Sequence, residues 1–146
     1  MKSLPEIPGD AQFFRAFARF EYALKSTGYY ERSNWIRTNW AKFEKERSIQ
    51  GLFEAACGNS GINYLINHPP KREIVENGTV AWKEPEKIET TQALLKALQR
   101  VRNNLFHGGK RPSPKDRDRR LIRAAMKVLE MLLDRCPELK AKFDEA

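Results

Sequence analysis

The densest group of chemically useful side chains lies in Val101-Arg102-Asn103-Asn104-Leu105-Phe106-His107-Gly108-Gly109-Lys110. Imidazole titrates near neutral pH and serves as acid or base, whereas guanidinium stays charged and grips phosphate oxygens with a planar fork. Those groups match what metal-free RNA cleavage requires: the 2′-hydroxyl loses its proton, charge at phosphorus is stabilised, and the departing 5′-oxygen is protonated. DNA lacks the 2′-hydroxyl, so such a site would bind DNA without cutting it.

Successive helical residues turn by about 100°, which places Asn103 and His107 on one face and separates Arg102 from His107 by about 140°. Arg102 and His107 can therefore meet at one phosphate in two ways: the helix unwinds at Gly108-Gly109, or a second chain completes the site. The second route predicts a homodimer.

The elements that must hold this stretch are mostly helical. Asp10 reads as an N-cap, followed by Phe13, Phe14, Phe17, Phe20 and Leu24 at core spacing up to Gly28. Trp35, Ile36, Trp40, Phe43, Ile49, Leu52 and Phe53 predict one broken helix or two short ones between Ser33 and Ala56, and Ile62 to Ile66 a further short helix before Pro69-Pro70. Arg72 to Glu76 and Thr79 to Lys83 around Asn77-Gly78 predict a β-hairpin insertion, the one strand signal in this reading. Thr90 caps a helix carrying Leu94, Leu95, Leu98, Val101 and Leu105. Ser113-Pro114 opens a long helix to about Cys136, and Pro137 restarts a short one. The expected fold class is mainly all-α: an up-and-down bundle of four to five helices with a short β-hairpin, forming a single domain over residues 1–146.

The chain has 146 residues, with 27 Lys and Arg against 19 Asp and Glu, a net charge of +8, and this favours polyanionic partners. No apolar run approaches the ~18 residues of a membrane span, and the start of the sequence lacks a signal-peptide core, so no membrane partner and a cytoplasmic location are expected. Cys57 and Cys136 stand apart and read as lone buried thiols. With His68 and His107 they lack the close pairs of zinc sites, so no metal and no cofactor is expected.

Arg102-Asn103, three residues and His107, set between two helices, resemble the signature of the HEPN domain superfamily. Leu105-Phe106-His107-Gly108-Gly109-Lys110 is similar to a form found in small bacterial HEPN proteins, as is Phe17-Ala18-Arg19-Phe20-Glu21-Tyr22-Ala23-Leu24 in the first helix. The resemblance implies an HEPN-like bundle and a metal-independent endoribonuclease built as a homodimer with a composite cleft. It also implies toxin or antiviral-defence biology, with an antitoxin or regulatory protein as a further partner. By the same resemblance Arg102 and His107 are catalytic, Asn103 positions His107, and the product carries a 2′,3′-cyclic phosphate. Some HEPN toxins carry a modifiable Tyr two residues after the His; that position is Gly109 here.

Each residue also has a plainer reading. His107 can be a helix C-cap interacting with the last carbonyls. Glu21 interrupts the apolar stripe of the first helix as a boundary residue or as a supporting acid for Arg102 or His107. Lys110, Arg111, Lys115, Arg117, Arg119, Arg120 and Arg123 form a solvated basic face, of which Lys110, Lys115, Arg119 and Arg123 are expected to meet RNA phosphates. Tyr29, Tyr30, Trp35 and Trp40 can stack on bases, though such residues are more often core or part of a dimer interface, and His68 is read as a turn residue. The rival functions are a non-catalytic HEPN module that binds RNA, a nucleotide or a partner protein, and a purely structural helical adaptor.

Overall fold

A computed structural model describes residues 10–106 and 115–146; the side chains of Asp10, Phe106, Lys115 and Asp116 lie outside that description. Among the described residues the order is α1 (Asp10–Ser26), β1 (Tyr30–Arg32), β2 (Ile36–Thr38), α2 (Trp40–Phe43), a 3-10 turn at Arg47–Ile49, α3 (Leu52–Cys57), α4 (Ser60–Asn67), β3 (Arg72–Glu76), β4 (Thr79–Lys83), α5 (Thr91–Phe106), α6 (Lys115–Arg135) and α7 (Pro137–Glu145). Seven α-helices thus stand where four to five were expected, because the middle of the chain is cut into three short ones.

The long helices follow from apolar spacing. Phe13, Phe17, Phe20 and Leu24 bury one stripe of α1; Leu94, Leu95, Leu98 and Val101 do so on α5, and Leu121, Ile122, Ala125, Val128, Leu129 and Leu132 on α6. Thr90 Oγ1 accepts the Ala93 amide at 3.0 Å and caps α5, as its position before the helix predicts. Helices α4 and α6 run antiparallel, since Gly61 approaches Lys127 while Tyr64, one turn later, sits beneath Arg120. Helix α7 folds back on α1: Arg19 donates to the Phe143 carbonyl at 2.9 Å and lies 4.3 Å over the Phe143 ring.

The expected hairpin forms with the expected bounds, β3 pairing antiparallel with β4 in a register that sets Glu73 opposite Trp82 and Val75 opposite Val80. Both turn residues adopt positive φ, 50° at Asn77 and 78° at Gly78, as a tight two-residue turn requires.

A second hairpin corrects the sequence reading of Ser33 to Ala56 as one broken helix or two short ones. Three-residue strands β1 and β2 pair Tyr30 with Thr38, Glu31 with Arg37 and Arg32 with Ile36, and an Arg37–Glu31 ion pair spans the strands at 2.5 Å. Helix starts only at Trp40, where Asn39 caps it by accepting the Lys42 amide at 3.0 Å. Trp40 and Phe43 then join the α1 aromatics, Phe20 stacking on Trp40 at 5.7 Å and meeting Phe43 edge-on at 6.1 Å. Trp35 and Ile36 stay outside this core, 65% and 54% exposed.

The cysteines are a second correction: Cys57 is exposed at the end of the six-residue α3, and Cys136 is half-buried. Cys136 Sγ lies 3.3 Å from Ser48 Oγ, and burial pushes its thiol pKa up against the opposing effect of that hydrogen bond. No described helix is long and apolar enough to cross a membrane.

Candidate functional site

Three helix ends converge at one end of the bundle. Helices α4 and α5 finish there, α6 begins there, and the chain leaves α4 through Pro69-Pro70 into the β3–β4 hairpin. Asn104 Nδ2 donates to the Lys71 carbonyl at 3.0 Å and ties the end of α5 to the start of the hairpin.

The last turns of α5 point in different directions, as adjacent helical residues must. Arg102 faces α1. Its guanidinium lies 5.5 Å over the Phe17 ring, and its Nη1 donates to Asn103 Oδ1 at 3.0 Å. Asn103 is thus bonded to Arg102; the expected contact with His107 lies outside the described residues. Lys96, Arg100 and Asn103 line a broad groove of about 740 Å³ beneath the hairpin residues Arg72 and Glu73. Asn104 and Leu105, with Val101, face a smaller cavity of about 280 Å³ shared with α6 and Trp82.

Glu21 accepts from the Trp40 indole Nε1 at 3.1 Å. Trp40 in turn lies 5.8 Å from the Phe17 ring that carries Arg102. The acid therefore reaches Arg102 through two aromatic rings, with its carboxylate fixing the indole edge.

Of the predicted phosphate contacts, Arg119 and Arg123 are exposed one turn apart on α6. The side chain of Lys115 lies outside the described residues, as do all of Lys110 and His107. Arg120, beside them, is held 5.4 Å over the Tyr64 ring.

Two aromatic features here escaped the sequence reading. His68 is more than a turn residue: its ring stacks on Tyr64 at 4.1 Å and 19°, with Nδ1 3.0 Å from the Tyr64 carbonyl. When Nδ1 donates that bond, Nε2 is the basic nitrogen. The i, i+4 spacing of Tyr64 and His68 was the available signal. Trp82 forms a wall of the small cavity. Its alternation with Val80 along β4 gave no hint of that, because both lie in a strand whose partner elements the sequence does not name.

At the opposite end of α6, about 30 Å away by helical rise, Tyr29 Oη donates a short hydrogen bond to Glu46 Oε2. Burial first, then that carboxylate, hold the phenol pKa above its ordinary value. Among the described residues, no group of three or more His, Cys, Asp or Glu side chains is arranged to hold a metal ion.

Comparison of the chain with protein-family models, curated proteins and solved structures finds no match. Among the described residues there is a mainly helical fold with two small hairpins, with a bonded Arg–Asn pair in the last turns of α5 and Arg117, Arg119 and Arg120 in the first turns of α6.

Proposed function

We propose that the chain is a metal-independent endoribonuclease of the HEPN type that acts as a homodimer, with toxin or antiviral-defence biology. The observation that carries this reading is the fixed Arg102. A guanidinium held over Phe17 and bonded to Asn103 is a preorganised cation, set five residues before His107 and close in the chain to a basic helix start. Preorganised charge stabilises a crowded phosphorus better than a freely rotating one, because little reorganisation is needed as the transition state forms.

In this mechanism His107 removes the 2′-hydroxyl proton and the oxygen attacks the adjacent phosphorus. The P–O5′ bond breaks, the 5′-oxygen leaves with a proton from the second histidine of the dimer, and a 2′,3′-cyclic phosphate remains. Arg102 binds the non-bridging oxygens, Asn103 fixes its fork, and Glu21 stiffens Trp40 and Phe17 behind it. Lys110, Lys115, Arg119 and Arg123 hold flanking phosphates. An antitoxin or regulatory protein would act by covering this end of the bundle.

The test is incubation of a mixed RNA pool in EDTA with wild-type protein and with His107→Ala, beside a DNA control. Cleavage of RNA alone, lost in the variant, is the expected result. RNA binding without cleavage by folded wild-type protein would replace the enzyme with a binding module, and cleavage surviving in His107→Ala would place the chemistry elsewhere.

A further inference from the structure

We infer that the stacked rings of Tyr64 and His68 at the end of α4 form a platform for one base of a single-stranded RNA, with Arg120 and Arg123 of α6 holding the phosphates beside it. The inference deepens the ribonuclease reading, on which its assignment to RNA rests, by naming where the strand is held outside the scissile phosphate.

The platform starts from helical spacing. Tyr64 and His68 are four residues apart, so their side chains share a face of α4, and the rings stack at 4.1 Å and 19°. Tyr64 packs against the hydrophobic core, and His68 sits outside it, exposed. The chain fixes His68 from both sides: its Nδ1 lies 3.0 Å from the Tyr64 carbonyl, and Pro70, two residues on, is buried. His68 makes no second ring contact among the described residues, which leaves the ring face turned away from Tyr64 to solvent. An exposed flat ring that is already oriented stacks on a base with little loss of side-chain entropy, and every base has a π-face to offer.

Ending a helix does not account for this arrangement. Closing the last turn of α4 takes only the backbone amide and Nδ1 of His68, both directed at the Tyr64 carbonyl. An Asn could do as much, so that role leaves the outer ring face unused.

Charge selects a polyanion as the molecule carrying the base. From Ser60 through Lys71 the sequence has no acid. Across the seam, Arg120 lies 5.4 Å over the Tyr64 ring, and Arg123 is exposed nearly one turn further along the same side of α6. Neither arginine forms an ion pair among the described residues. Asp118 is turned about 200° from Arg120 around the helix, and it is buried toward the cavity that α6 shares with α5. An acidic peptide would meet the arginines and gain nothing from the rings, whereas each nucleotide of a single strand brings both a phosphate and a base. Position agrees with charge. The Lys71 carbonyl, three residues after His68, accepts from Asn104 at the end of α5, so the platform stands at the same end of the bundle as Arg102 and Asn103.

The experiment is fluorescence anisotropy titration of the full chain with a labelled 2′-O-methyl oligoribonucleotide and with an abasic strand of equal length and charge, for wild type, His68→Asn and His68→Phe. The blocked 2′-oxygen prevents cleavage, so binding is read whether or not the protein cuts RNA. His68→Asn keeps a donor for the Tyr64 carbonyl and loses the ring; His68→Phe keeps the ring and loses the donor. Circular dichroism and thermal melting show that each variant is folded. His68→Asn should bind the base-bearing strand about tenfold more weakly than wild type, with an unchanged log–log salt slope, and should bind the abasic strand as wild type does. His68→Phe should stay close to wild type on both strands. Undiminished binding by folded His68→Asn, an equal loss on both strands, or a loss in His68→Phe as large as that in His68→Asn overturns the inference, as does wild-type protein that binds neither strand. The expected pattern from a protein that cuts no unblocked RNA would leave the platform standing and remove the enzyme. RNA cleavage by wild type beside an unaffected His68→Asn would do the reverse.

Discussion

Asn103 separates a positioning role from a structural one. Its Oδ1 accepts from Arg102 Nη1 at 3.0 Å, and both side chains are half-buried. A hydrogen bond to a charged donor contributes ~1.5–3 kcal/mol when well sheltered; partial solvent access brings this nearer ~1–2 kcal/mol. If that bond holds the guanidinium in its catalytic orientation, its loss appears in the transition state. At ~1.4 kcal/mol per tenfold, Asn103→Ala should then lower kcat by about 5- to 30-fold. KM should change little, because the phosphate charges still meet Arg102. Asn103→Gln keeps a neutral amide oxygen that can still reach the guanidinium and should retain more of the activity than Ala, whereas Asn103→Leu should behave like Ala. The assay is steady-state cleavage of a fluorogenic RNA in EDTA, with melting temperatures to show that all three variants remain folded. Equal losses in the Gln and Ala variants would refute the reasoning, as would full activity in Asn103→Ala.

Tyr29→Phe removes the phenol–Glu46 bond and should cost about 1 kcal/mol in urea unfolding at neutral pH. Because folding raises the Tyr29 pKa, that tyrosine's contribution is complete below the unfolded value near 10 and is lost as pH rises beyond it. Wild-type melting temperature should therefore fall above pH ~10 more steeply than that of Tyr29→Phe, and parallel curves would contradict the assignment. Phe20→Ala, at a fully buried ring packed on Trp40 and Phe43, should cost ~3–5 kcal/mol by the same unfolding assay. A loss under 1 kcal/mol would show that the aromatic cluster does not close the bundle. If the exposed Arg119 and Arg123 contact RNA phosphates, replacing each by Ala should weaken binding across all sequences and flatten the log–log salt dependence by ~0.7. An unchanged slope in fluorescence anisotropy titrations would remove these residues from the interface.

The parts of this fold legible in the sequence are those where a local rule and the tertiary demand agree. Asn77-Gly78 could be read because both residues must take positive φ, and they do. The α1, α5 and α6 stripes were readable because long helices repeat the same burial choice over several turns. Between Ser33 and Ala56 the rules conflict. Trp35 and Ile36 precede Trp40 and Phe43 at near-helical spacing, yet the first two are exposed on a hairpin and the last two begin the core. A three-residue strand is too short to show alternation, and nothing local marks which aromatic residues α1 will accept. Cys57 is exposed rather than buried for a related reason, since a six-residue helix buries only one narrow side, taken here by Leu52 and Ala56.

The candidate site divides along the same line. Residue types and a helical wheel locate Arg102 and Asn103 beside each other at a helix end, and no tertiary information is needed for that. What the sequence does not carry is the third dimension of the site: Phe17 beneath Arg102, Trp40 behind Phe17, and Glu21 fixing Trp40 come from α1 and α2, about sixty to eighty-five residues away. Glu21 was legible as an anomaly in an apolar stripe, but its partner was not, because a carboxylate gives no indication of whether it will meet a guanidinium or an indole. The distinction has a consequence for function. Because Glu21 is engaged by the Trp40 indole, it orders the aromatic support on which the Arg102 guanidinium rests, so its removal loosens that support without removing the acceptor that Asn103 offers to Arg102.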